Sequence, residues 1–200
     1  MKYSFISFLL AWIFPTKIRR KQFRRFCANI DSDIENNRNI KIVHKRYSKL
    51  VNKLSKDIRT RKLRVLFLCS ENEKWAYQSL YEKLQVHPNF EPVIAVSVLE
   101  SYLSPEYEFM HYKDMLKKNY EFFKNKGMNV EYAFNPETNE YINLSKFSPD
   151  IIFYEQPWGM ADIHKSHNTS KFALSCHCSY GTSITNGAYE YEHPFYRQLF

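Results

Sequence analysis

The chain has 200 residues, 44% hydrophobic and 17% aromatic, which is enough for one globular domain with a real core and too apolar for a chain disordered throughout. Its four cysteines, at 27, 69, 176 and 178, form no CxxC pair and no evenly spaced framework, which argues against a disulfide-stapled secreted module and for reduced thiols in the cytoplasm. The net charge of +8 is unevenly spread: residues 1–64 carry 18 Lys/Arg against 4 Asp/Glu and the remainder 11 against 17, so a basic arm suited to an anionic surface precedes a mildly acidic domain.

The arm begins with the apolar run "YSFISFLLAWIF" (3–14), followed by six Lys/Arg between Lys17 and Arg25. As a helix, that run spans only about 18 Å, short of a hydrocarbon core of roughly 30 Å. A secretory signal puts its charge before the apolar run, and here the order is reversed. The pattern predicts an interfacial anchor, with Phe8 and Trp12 at the headgroup boundary. Lys17, Arg19, Arg20, Lys21, Arg24 and Arg25 would then lie on anionic lipid, at about 1 kcal/mol per charge. Packing of Phe5, Phe8, Leu9 and Trp12 on the protein's own core is the other reading, and no nucleic-acid-binding motif is present. In residues 40–58, Ile40, Val43, Tyr47, Leu50, Val51, Leu54 and Ile58 recur at helical spacing among lysines, predicting a basic amphipathic helix. It either extends the membrane-facing surface or packs its apolar stripe on the domain, and His44 reads as a surface histidine. The arm is taken as residues 1–62 and the domain as 63–200.

From residue 63 short apolar runs alternate with helical segments. "LRVLFLCS" (63–70) reads as a buried strand, 75–85 as a helix, 90–99 as a second strand, and 106–127 as a long helix stopped by Gly127. Strands follow at 129–134, 149–157 and 171–181. The alternation predicts an α/β, Rossmann-like parallel sheet with helices on both faces. The first strand-to-helix turn, "CSENEKWAY", has no glycine, so no phosphate cradle of the dinucleotide or P-loop type is expected and no cofactor is implied.

Functional residues in open sheets sit in the loops beyond the strands' carboxyl ends. Glu71 and Asn72 either bind substrate there or cap the next helix. Glu155, Gln156 and Trp158 in "YEQPWGM" suit a carbohydrate or polyol, with an aromatic face for the ring and polar groups for hydroxyls; alternatively, Trp158 folds back in a turn. In "LSCHCSYGTSITN" (174–186), strand alternation puts Cys176, Cys178 and Tyr180 on one side and His177 on the other. Such a strand cannot converge four ligands, so no metal site is expected, and the two cysteines read as core residues. Tyr180, Gly181, Thr182, Ser183 and Asn186 lie where that strand ends.

The basic N-terminus, the first strand and helix, "PDIIFYEQPW" and a strand ending in an aromatic-glycine pair together resemble the N-terminal half of the CDP-glycerol glycerophosphotransferase family and its surface-polysaccharide relatives. The likeness runs over essentially all 200 residues, and "PDIIFYEQPW" is its most specific element. It implies one half of a GT-B architecture, in which this half meets the membrane and a polysaccharide or lipid-linked acceptor while a second half holds the CDP-linked donor. By that comparison the donor half lies outside these 200 residues, as in a truncated or split gene or a fragment. Teichoic-acid members have a His-Gly pair after the corresponding strand, with the histidine as base. Here Tyr180 and Gly181 take that place as the catalytic candidates, although a phenol with a pKa of about 10 is a poor base at neutral pH. The resemblance thus implies a peripheral protein on the cytoplasmic face of the membrane, contributing membrane attachment and acceptor binding and inactive alone. The alternative is a non-catalytic membrane-associated binding or scaffold protein.

Overall fold

The computed structural model describes residues 16–106, 111–156 and 158–178. It opens with α1 (Lys17–Asp57), 41 residues long and so about 60 Å from end to end. The hydroxyl of Thr16 caps it by accepting from Arg19 N at 3.3 Å. Sequence pattern alone separates a basic arm from a helix beginning at residue 40; the structure joins them into one helix. The physical reason is that neither Gly nor Pro occurs between Pro15 and Pro88, so nothing breaks the backbone ladder. The second half of α1 buries Val43 and Leu54. Arg46 Nη1 ties it to the domain by donating to His167 O (2.9 Å) and to Ser170 Oγ (3.1 Å).

After a turn over 58–62 come β1 (Leu63–Cys69), α2 (Gln78–Val86), β2 (Phe90–Val96), α3 (Tyr112–Asn125) and β3 (Val130–Tyr132). A small antiparallel hairpin of β4 (Phe134–Asn135) and β5 (Glu140–Tyr141) follows, then β6 (Ile151–Tyr154), the short α4 (Ser166–Thr169) and β7 (Leu174–His177). Five strands form one parallel sheet in the order β3-β2-β1-β6-β7. This is the expected Rossmann-like α/β architecture.

β1 is central and paired on both sides, which is why it is apolar at every position but Arg64. Val65, Phe67 and Cys69 meet Tyr77, Tyr81, Leu116 and Phe123 on the face covered by α2 and α3. Leu66 and Leu68 join Ala95, Ile152, Tyr154 and Leu144 on the other face, which short helical turns cover. Phe67 anchors an aromatic cluster, stacked on Phe153 at 5.2 Å and edge-on to Trp75 at 5.5 Å.

Several boundaries shift. The helix expected from residue 75 starts at Gln78, after a 3-10 turn Asn72–Lys74, because Trp75 and Tyr77 turn inward onto Phe67 and Phe123. The helix expected from 106 begins at Tyr112 and ends as predicted, with Gly127 at φ +71 and Met128 N bonded to Phe123 O. The strand expected over 129–134 ends at Tyr132, and the chain then bends into the hairpin. At the amino end of β6, Asp150 accepts from both Arg61 Nη groups at 2.7 Å and from Arg64 N at 2.9 Å, locking α1, β1 and β6 together.

Candidate functional site at the strand crossover

From the central β1 the chain runs outward to β2 and β3, then crosses to the opposite side of β1 to form β6 and β7. The loops after β1 and β6 therefore leave the sheet side by side at its carboxyl edge. In an open α/β sheet that reversal point is where a ligand crevice forms.

In a nucleotide-binding sheet the backbone N–H groups after the first strand hold a phosphate. Here they hold a side chain. Ser70 N and Glu71 N donate to Glu155 Oε2 at 2.9 and 3.0 Å, and Cys69 Sγ donates to Glu155 Oε1 at 3.1 Å. Glu155, expected in an open loop, is buried at 1% exposure, because continuing β6 by one residue carries its carboxylate under the β1 turn. Burial pushes its pKa above the ordinary carboxylate range despite the three bonds that favour the charged form. Burial, together with the adjacent Glu155, pushes the Cys69 thiol well above its usual value, so it is no ready nucleophile.

A second layer sits over this carboxylate. Lys74 Nζ donates to Glu71 Oε1 at 2.8 Å and to Gln156 Oε1 at 3.0 Å, and Tyr102 OH donates to Glu71 Oε1 at 2.9 Å. Asn119 Nδ2 donates to Ser70 O at 2.7 Å while its Oδ1 accepts from Asn72 N at 3.0 Å. Glu71 and Asn72 therefore do not cap α2, which starts six residues after Asn72; they brace the crevice. The β2 and β6 loops are stitched by Glu100 N to Gly159 O at 2.7 Å. Gly159 makes the bend at φ +71 beside Leu99, and Trp158 before it is half-buried. Tyr102 also lines an adjoining cleft of about 580 Å³ with Leu103, His111, Tyr112 and Lys113.

Glu71, Asn72, Glu155, Gln156 and Trp158 are thus gathered at one edge of the sheet. Tyr180, Gly181, Thr182, Ser183 and Asn186 lie outside the described residues, as do Phe8 and Trp12. Lys74, Tyr102 and Asn119 were missed by sequence reasoning. Lys74 was the only cation in the first loop and could have been noticed; nothing local marks the other two.

Cys176 and Cys178 are not core residues: the first is half-buried and the second exposed. β7 is the last strand of the sheet order, and a groove of about 710 Å³ opens between it and α1, lined by Tyr47, Leu50, Phe153, Leu174 and Cys176. His44 lies on its rim. His177 also lines this groove beside Cys176 and Cys178, and its Nδ1 lies 2.9 Å from Tyr154 O. Among the described residues, no group of three or more His, Cys, Asp or Glu is placed to hold a metal.

Lys17, Arg19, Arg20 and Lys21 occupy the first turns of α1, with no acidic residue in the first turn. Cations there oppose the helix macrodipole, at roughly 0.3–1 kcal/mol each when exposed. Arg24 and Arg25 extend the basic stretch by a further turn. Among the described residues, no helix is long and apolar enough to cross a membrane.

No family model, curated protein or solved structure matches this chain.

Proposed function

We propose that the chain is the acceptor-side half of a GT-B-type, glycerophosphotransferase-like or glycosyltransferase-like enzyme of cell-surface polysaccharide synthesis, seated peripherally on the cytoplasmic face of the membrane by its basic N-terminal region. The observation that carries this reading is the Glu155 carboxylate under the β1 turn. It fills the backbone anion seat of the β1 turn from within, which supports a division in which the phosphates of a nucleotide-linked donor are held by a second half. What the crevice offers instead is a carboxylate, an ammonium, a phenol and an amide within one bonded network, a set suited to hydroxyl groups.

In this reading the acceptor hydroxyl is positioned at the crevice and attacks the β-phosphorus of a CDP-linked donor presented from the other half. A phosphodiester forms as the bond to the bridging oxygen breaks, CMP leaves and the hydroxyl proton passes to solvent, with positioning and charge stabilisation supplying most of the rate. The basic first turns of α1 support the membrane role, since they are unfavourable to the helix itself and gain on meeting anionic lipid. Nucleic acid is not expected as a partner.

The test is reconstitution. The chain alone should not turn over CDP-glycerol, and adding a separately expressed donor half should restore transfer to an acceptor; turnover by the chain alone overturns the division of labour. For attachment, the chain should co-sediment with phosphatidylglycerol vesicles and not with phosphatidylcholine vesicles. A form lacking residues 1–25 should stay in the supernatant with both, and retention of binding by that form removes the anchor assignment.

A further inference from the structure

Gln156 is completely buried, yet only half of its amide is bonded. Oε1 accepts from Lys74 Nζ at 3.0 Å, while Nε2 has no partner among the described residues. The orientation is imposed: an ammonium carries only donors, so turning the amide over would set Nε2 against Lys74 and lose the one bond it makes. Just past the end of β2, the hydroxyl of Ser97 is also buried without a partner among the described residues. A buried donor left unbonded costs on the order of 1–3 kcal/mol, and folded proteins keep few of them. Two at the carboxyl edge of one sheet, one of them at the crossover point, mark a place built for something other than stability.

The surrounding charges say what kind of group completes Gln156. Lys74 is already bonded to Glu71, and the two backbone N–H groups that would take an anion are occupied by Glu155. An incoming phosphate would meet two carboxylates and one neutralised cation. A hydroxyl suits the same place, because it can accept from Nε2 and donate to Glu71, whose Oε1 shares the Lys74 ammonium with Gln156 Oε1 and is therefore a near neighbour of the amide.

We infer that Gln156 is a ligand-binding residue whose Nε2 donates to an oxygen of a neutral, hydroxyl-rich molecule held at the strand crossover, with Glu71 as the matching acceptor. This rests on the proposal that the crevice receives the acceptor, and it narrows that proposal to the uncharged part of the acceptor.

The experiment uses the full chain labelled with ¹⁵N and follows the side-chain amide pair of Gln156 by NMR, with glycerol, N-acetylglucosamine and inorganic phosphate as probes. The resonance is identified by its loss in Gln156→Glu, a variant that keeps an oxygen for Lys74 and removes the donor. A saturable shift of that amide with glycerol or the sugar and none with phosphate is expected, with affinity falling roughly tenfold in Gln156→Glu, the scale of one hydrogen bond, read at a temperature where its circular dichroism matches that of the parent. Equal polyol affinity in the two proteins overturns the role of Gln156 and leaves the acceptor reading standing. A shift with phosphate alone overturns the neutral ligand. No response to any probe leaves Gln156 with an ordered solvent partner only and overturns the inference, while reconstitution with the donor half tests the enzyme reading separately.

Discussion

The two ends of β6 carry two buried acids that the fold treats in opposite ways. Asp150, at the amino end, accepts a backbone N–H bond from Arg64 near the start of β1, and Glu155, at the carboxyl end, accepts two from Ser70 and Glu71 just past its end. Asp150 also has a cation, the two-pronged Arg61, and although burial works against its charge, Arg61 and Arg64 N hold its pKa below the ordinary value. Glu155 has no bonded cation among the described residues, and burial raises its pKa. One acid is settled as a structural pin. The other is kept in an environment that disfavours its charge, beside a half-bonded amide, and perturbed groups of that kind gather at functional edges.

Removing the pin should give the largest effect. Asp150→Ala leaves Arg64 N unbonded and Arg61 with Asp57 as its remaining carboxylate, and we expect a loss of about 3 kcal/mol in urea denaturation, at the low end for a broken buried pair because Arg61 is half exposed. A loss under 1 kcal/mol would mean the amino end is no tighter than the other.

The pH profile divides the groups further. His164 is buried, and its pKa is pushed down from 6.5 to about 4, so its contribution is present above 6.5 and is lost as pH falls toward 4, a change of roughly 3 kcal/mol in denaturation midpoints. Asp150 adds to the same acid loss at still lower pH. Glu155 has the reverse sign: a raised carboxylate favours folding below the ordinary range and withdraws that support as pH rises through its shifted value.

At the carboxyl end, Tyr77 OH donates to Tyr154 O at 2.7 Å and accepts from Cys178 N at 3.1 Å, and its own pKa is pushed up to about 12 by burial. Tyr77→Phe should cost about 1–2 kcal/mol, the scale for leaving such groups unpaired. Smallest of all is Glu155→Gln, expected to lie within about 1 kcal/mol of the parent at neutral pH, because it removes a charge that burial opposes while retaining an oxygen for Ser70 N and Glu71 N. Its diagnostic is loss of the downward stability slope above the ordinary carboxylate range. If Glu155→Gln destabilises as much as Asp150→Ala, the contrast between the two ends fails.

How much could be read in advance varied by element. Periodicity located all five strands of the sheet, because alternation and apolar runs are local properties. It misplaced the starts of α2 and α3 by three and six residues, since Trp75 and Tyr77 choose inward packing over helix. Glu155 and Gln156 were legible as polar residues just past a strand, but not as buried ones. Two of the three missed crevice residues, Tyr102 and Asn119, lie 31 and 49 positions from their partners, where no local pattern reaches.

The sequence by itself determined the α/β class, the glycine-poor first turn that has no phosphate cradle, and the charge division between arm and domain. These follow from composition and short-range spacing. Only the tertiary structure decided that Glu155 lies under the β1 turn, 84 and 85 residues from the amides it binds, and that Lys74 fixes the Gln156 amide with its donor unpaired among the described residues. Strand order sets those contacts, and order in a parallel sheet depends on crossovers that close long loops, which no stretch of sequence specifies alone.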